Sequence, residues 1–146
     1  MAKLARDVMT PNPAVCSPAT TLDEVAALMV HNNCGEIPIV DATSQFVGVV
    51  TDRDIVSRVV AEGKNPSAYT AESCMSSPVV TVPTDAQLED VISTMEGHQM
   101  RRVLVVDDSG CCAGIISQAD IAAVARPRVV GELISEVSRQ TGHSSL

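Results

Sequence analysis

Tryptophan is absent from this 146-residue chain, and Phe46 and Tyr69 are its only aromatic residues. The core must therefore be aliphatic, and there is no aromatic platform on which single-stranded bases could stack. Basic residues are also scarce. Ten Lys and Arg against eighteen Asp and Glu leave a formal charge of −8, a field that repels phosphate backbones. Both absences argue against a nucleic-acid partner. No apolar run approaches the roughly 20 residues of a membrane span. The first ten residues carry Lys3, Arg6 and Asp7 in place of an apolar signal region, so neither a membrane nor a secretion signal is expected, and the cytoplasm is the default. The five cysteines (Cys16, Cys34, Cys74, Cys111, Cys112) are odd in number and lack a disulfide framework, as expected of thiols in a reducing compartment. Cys111-Cys112 reads as two small residues at a hairpin rather than a redox pair. His31, His98 and His143 form no Cys/His ligand spacing, so no metal is expected.

What is present is a repeat. Gly48-Val49-Val50-Thr51-Asp52-Arg53-Asp54-Ile55 returns 66 positions later as Gly114-Ile115-Ile116-Ser117-Gln118-Ala119-Asp120-Ile121. At the same offset Leu22 matches Leu88, Val25 matches Val91, Met29 matches Met95, Val40-Asp41 matches Val106-Asp107 and Met9-Thr10 matches Met75-Ser76. Pro13 and Pro18 answer Pro78 and Pro83 only if the register slips by one between Thr10 and Leu22, in a proline-rich turn where a length change does least harm. Two copies of this length make two similar subdomains rather than a solenoid.

Each copy reads as strand, helix, strand, strand, helix. In the first, Pro13 to Cys16 is extended and Thr20 or Thr21 caps a helix with Asp23 and Glu24 in its first turn. Ile37 to Val40 and Phe46 to Val50 are strands about a turn at Asp41 to Gln45. Thr51 opens a second helix with Ile55, Val56, Val59 and Val60 inward. In the second, Val79–Val82, Val103–Val106 and Ala113–Ile116 are strands; Asp85–His98 and Ser117–Ala125 are helices. Neither half has enough sheet to close a core alone, so each needs the other. The expected organisation is repeat 1 over 5–61, a linker over 62–73 broken by Gly63 and Pro66, repeat 2 over 74–126, and a helix and tail over 127–146. In that last stretch Val129, Val130, Leu133, Ile134 and Val137 share one face. That face either caps its own module or meets a second copy, and Gly142 to Leu146 should fray.

The repeated motif has two chemical readings. Thr51-x-x-Asp54 and Ser117-x-x-Asp120 both fit a capping box with Asp in place of Glu. The same geometry suits a nucleoside phosphate: helix N–H groups and a hydroxyl for the phosphate, and a carboxylate one turn on for the ribose hydroxyls. Gly48 and Gly114 would leave room for a close approach. No nucleophile–base pair or metal-bound water is in view, so an enzyme is not expected.

From Ala5 to Ala125 the chain resembles a tandem pair of cystathionine-β-synthase (CBS) domains, a Bateman module of the stand-alone bacterial type. The resemblance rests on the G-h-h-[ST]-x-x-D-h pattern in both copies, Ile37-Pro38-Ile39-Val40-Asp41, Met9-Thr10-Pro11 and the run Thr51-Asp52-Arg53-Asp54-Ile55. It implies an α+β fold of two β-α-β-β-α repeats packed as a pseudo-twofold pair, with an adenosine ligand between the repeats: AMP, ADP, ATP, an NAD-type dinucleotide or S-adenosylmethionine. No cofactor is obligatory. By resemblance, Thr51 and Ser117 contact phosphate and Asp54 and Asp120 the ribose, while adenine lies against backbone near Ile37-Pro38 and Val103-Leu104. Asp54 then works with Arg101 and Arg102, and Asp120 with Glu36-Ile37. The resemblance also implies a flat homodimer formed through the helices.

The copies differ in charge. Arg53 answers Ala119, and Arg101-Arg102 answer Gly35-Glu36. The site of Thr51 and Asp54 is thus expected to favour phosphate over that of Ser117 and Asp120, and Leu104 in place of Pro38 sets the second copy further apart. The functional expectation is a regulatory adenosine-nucleotide sensor acting in trans on an unknown effector protein. The alternative is a ligand-free dimerisation module in which both aspartates are only caps.

Overall fold

The computed structural model describes residues 3–77 and 79–142, with the side chains of 140–142 left aside; of the tail expected from Gly142 on, residue 142 ends a helix and 143–146 lie outside the described residues. Two compact units emerge, and they do not follow the order of the repeats. One is the continuous stretch Ala14–Val79; the other joins the N-terminal segment through Pro13 to everything from Val80 on.

The continuous unit holds helix α2 (Leu22–His31), strands β2 (Glu36–Val40) and β3 (Phe46–Thr51), the short helix α3 (Asp52–Ile55) with a π-helical turn over Val56–Val60, a 3-10 turn at Pro66–Ala68, and helix α4 (Ala71–Cys74). β2 and β3 pair antiparallel. Single bridges extend this ribbon on both sides, Cys16 parallel to Ile39 and Ser76 antiparallel to Val49. Asp41 makes the hairpin turn, its Oδ1 accepting from the N–H groups of Thr43 and Gln45 and from the Thr43 hydroxyl. Those bonds hold its carboxyl below the usual carboxylate range. Leu22, Val25, Ile37, Ile39, Val50 and Ala71 are wholly buried.

The discontinuous unit repeats this plan. It comprises α1 (Ala5–Val8), β1 (Thr10–Pro11), β4 (Thr81–Pro83), α5 (Leu88–His98), β5 (Arg102–Val106), β6 (Cys112–Ser117), α6 (Gln118–Ala122) and α7 (Pro127–Gly142). Its sheet runs β1-β6-β5-β4, with β4 parallel to β5 and the other pairs antiparallel. Val91, Met95, Val103, Val105, Ile116 and Ile121 fill its core.

The mixed α+β class and the two-repeat plan are as expected; several details differ. The one-residue slip is not there. Cys16 pairs with Ile39 as Val82 does with Val105, and Ala71 N–H bonds Thr20 C=O as Ala5 N–H bonds Ala86 C=O, all at the 66-residue offset. The prolines misled because Pro18 is structurally equivalent to Thr84. Val56 and Val60, expected inward, are 58% and 57% exposed. The π-helical turn, whose Ala61 N–H reaches back to Val56 C=O, keeps only Ile55 and Val59 on the core face. The stretch expected as linker carries structure, and Ala71 at its end enters the core. Helix α7 caps its own unit: Leu133 and Val137 are buried against the α5 and α6 side of the core. Ile134 is 44% exposed, because it falls one residue beyond that stripe.

Removing Leu133 should therefore leave a hole. We expect Leu133→Ala to lower unfolding free energy by about 2–5 kcal/mol in urea titration, with Ile134→Ala below about 0.5 kcal/mol. Near-equal small losses would mean that α7 does not close this core.

Candidate functional site

Each repeated motif crosses from a strand into a helix. In the continuous unit, Thr51 ends β3 and caps α3. Its Oγ1 accepts from Asp54 N–H at 3.1 Å, and Asp54 Oδ2 accepts from Thr51 N–H at 2.9 Å. Ser117 and Asp120 repeat the pair at 3.2 and 2.9 Å. The capping box is thus realised in both copies.

The capping geometry narrows what these groups can do for a ligand. Asp52 N–H donates to Gly35 C=O, Arg53 N–H to Asp52 Oδ1 and Asp54 N–H to Thr51 Oγ1. The first three N–H groups of α3 are all engaged, so the expected backbone phosphate cradle does not form there. In the other copy Gln118 N–H donates to Arg101 C=O and Asp120 N–H to Ser117 Oγ. What remains is side-chain chemistry. Each hydroxyl accepts a bond through its oxygen and keeps its own proton to donate, and each carboxylate uses one oxygen in the cap and has acceptor capacity left on the other.

That other oxygen of Asp54 is not isolated. Arg58 Nε lies 3.9 Å from Asp54 Oδ1, and its Nη1 donates to Cys74 C=O at 3.2 Å. Arg58 was not singled out in the sequence. The signal was its i,i+4 spacing from Asp54 on a helix. Its counterpart 66 residues on is Val124, which extends the charge difference between the copies beyond Arg53 and Ala119. Arg53 and Arg101 are exposed, Arg102 and Glu36 half-buried. Ile37 and Val103 are buried in the cores of their own units, so main chain rather than side chain is what they can offer a base; Pro38 and Leu104, the next residues along their strands, are also buried but lie outside those two cores.

The motif glycines have a different role from the one expected. A Cβ on Gly48 would strike the Met75 side chain, and one on Gly114 would meet Met9 Sδ at 2.6 Å and Thr10 C=O at 2.8 Å. The close approach is that of a methionine, not a ligand. Gly114→Ala should cost about 1–3 kcal/mol in chemical denaturation and not be rescued by Met9→Ala, because the carbonyl stays in place. Gly48→Ala should be partly rescued by Met75→Ala. Additive losses at 48 and 75 would contradict this packing.

No group of three or more His, Cys, Asp or Glu among the described residues is placed to hold a metal ion. No helix is long and apolar enough to cross a membrane among those residues. The cysteines are free thiols. Burial pushes Cys16 up to about 11 against a weaker lowering by its hydrogen bond with Thr20; burial, then the charge of Asp54, raises Cys74; burial, then Asp107 and Cys111, raises Cys112. The unfolded chain releases the Cys16 proton more readily than the folded one. Its contribution to stability is therefore intact below about pH 9 and lost as pH climbs towards about 11. Cys16→Ser should flatten the alkaline limb of a stability–pH curve; an unchanged limb would contradict this.

The CBS domain model matches residues 5–61 and 71–126. An uncharacterized protein of Methanopyrus kandleri is 35% identical over 92% of this chain, which spans 65% of that protein's length. The CBS domain-containing protein YhcV of Bacillus subtilis is 34% identical over 94% of this chain and 97% of its own. Among solved structures, Hypoxic Response Protein I with two coordinated zinc ions superposes with a TM-score of 0.77 at 31% identity, covering 85% of this chain and 100% of that one. CBSX2 in complex with AMP gives 0.71 at 25%, covering 82% and 93%. The CBS domain pair of MJ0100 with 5-methylthioadenosine and S-adenosyl-L-methionine gives 0.72 at 27%, covering 85% and 96%.

Proposed function

The chain belongs to the CBS-domain family, and from that premise we propose that it is a regulatory module, not an enzyme, that binds an adenosine nucleotide at Thr51 and Asp54 and signals to a partner protein in trans. The observation that carries this reading is the half-used capping box. Asp54 Oδ2 is spent on Thr51 N–H, while Oδ1, beside Arg58, has acceptor capacity for ribose hydroxyls. Two relatives of this fold hold AMP, or methylthioadenosine and S-adenosylmethionine, which supports adenosine as the common moiety.

Phosphate would be met by the Thr51 hydroxyl and by arginines, since the α3 backbone donors are engaged. Arg53 and Arg58 are the nearest in sequence, and backbone at Ile37-Pro38 would take the base. The second copy, with Ser117 and Asp120 but Ala119 and Val124, would prefer a ligand with less negative charge. The alternative reading, a ligand-free dimerisation module, is supported by the same capping boxes, because both aspartates already have structural work, and by the exposed Val56 and Val60.

A thermal-shift and calorimetry panel with AMP, ADP, ATP, NAD and S-adenosylmethionine separates the readings. A specific ligand at a hundredfold its dissociation constant should stabilise by about 2.7 kcal/mol. Asp54→Asn keeps an acceptor for the cap but loses the carboxylate, so the unliganded protein should melt nearly unchanged while the shift disappears. Asp120→Asn should retain the shift with AMP or ATP, and Arg58→Met should reduce it. No shift with any of the five, in protein stripped of prebound nucleotide, would favour the dimerisation module.

A further inference from the structure

The discontinuous unit takes its first strand from the far side of the chain. Residues 3–11 dock onto it through Leu88 N–H to Lys3 C=O, Ala5 N–H to Ala86 C=O and Arg6 N–H to Thr84 C=O, and then through β1 against β6. Ala5 is wholly buried in that core, and Met9 lies over Gly114. The continuous unit holds residues 69–76 by the same bonds at the 66-residue offset: Leu22 N–H to Tyr69 C=O, Ala71 N–H to Thr20 C=O and Glu72 N–H to Pro18 C=O, with Met75 over Gly48. The slot therefore holds a short pattern, an alanine at the head of a one-turn helix and a methionine on the extended backbone after it, mostly through main-chain bonds. Main-chain bonds of this kind can be made equally by a segment of the same chain or of another.

The tether of the first segment is strained. It is Pro11-Asn12-Pro13, and Asn12 has φ +50°. That left-handed conformation is uncommon outside glycine, and the residue before a proline is driven towards extended backbone. Opening the hinge would relieve Asn12 while every docking contact could be remade in an identical slot. Strain in a short hinge and an exchangeable element are the two conditions for domain swapping.

We propose that residues 3–11 dock in trans, into the β6–α5 slot of a second copy of this chain, giving a strand-exchanged dimer with Asn12 extended. The proposal does not depend on nucleotide binding. It also differs from a dimer formed through helix faces, because it places position 10 of one copy against position 115 of the other.

The test mixes two full-length variants, Thr10→Cys and Ile115→Cys, at high protein concentration through a mild unfolding and refolding step, followed by oxidation. Mass spectrometry should find an interchain disulfide between positions 10 and 115, well above that in a control mixture of Thr10→Cys with Ser57→Cys. In parallel, sedimentation without any added cysteine should show a dimer fraction several-fold higher for Asn12→Val, which cannot easily stay left-handed, than for Asn12→Gly, which can. Interchain bonding no greater than in the control, or a dimer fraction indifferent to residue 12, would overturn the proposal; a dimer with both properties would be one made through other faces.

Discussion

The docking of one short segment onto each unit is the constraint on which the rest of the structure depends. A two-stranded ribbon is marginal in water and needs more strands or a packed face. The continuous unit has such a ribbon in β2 and β3, which Ser76 extends by bridging Val49 of β3; in the discontinuous unit β1 adds a fourth strand, beside β6. Both contacts fall on the strand that ends in the capping hydroxyl, Ser117 or Thr51. The buried alanine and the methionine seated on glycine fix that strand's height against the core. The turn that follows, with its aspartate, inherits its position from them. Glycine at 48 and 114 is thus required by a methionine 27 residues ahead in one unit and 105 behind in the other, a pairing that no local pattern announces.

Most of the elements were legible because local rules decided them. The capping boxes at Thr51 and Ser117, the helix ending at His98, and the Asp41 turn all obey short-range chemistry. The repeat itself was legible because the 66-residue offset is kept by apolar and motif positions alike. What was not legible depended on distant chain. The opening segments match each other in sequence at Met9-Thr10 and Met75-Ser76, yet the match does not say which core receives them. The inward assignment of Val56 and Val60 failed because a π-helical turn changes the period on which it relied. Prolines suggested a slip in register that hydrogen bonding contradicts, since proline marks a turn without fixing its partner. Arg58 was passed over because one arginine four residues past an aspartate is common on helices; its second bond, to Cys74 C=O, gives it weight.

Within the motif, capping occupies the backbone donors and leaves the Thr51 hydroxyl proton and the second Asp54 oxygen with bonding capacity. The cap takes the lone pairs of Thr51 Oγ1 and of one Asp54 oxygen, and the helix N–H groups are consumed by Gly35 C=O, Asp52 and Thr51. A bound anion would thus depend on arginine side chains rather than on the helix terminus. Side-chain cations can be lost in one copy and kept in the other without disturbing the fold. Arg53 and Arg58 against Ala119 and Val124 are such a difference.

Hydrogen–deuterium exchange with and without AMP reads, position by position along the chain, where a nucleotide is held. The account predicts added protection concentrated on residues 49–58, where β3, Thr51, Asp54 and Arg58 lie, with a smaller change over 115–124. Protection confined to 115–124, or none at either stretch with AMP bound, would contradict it.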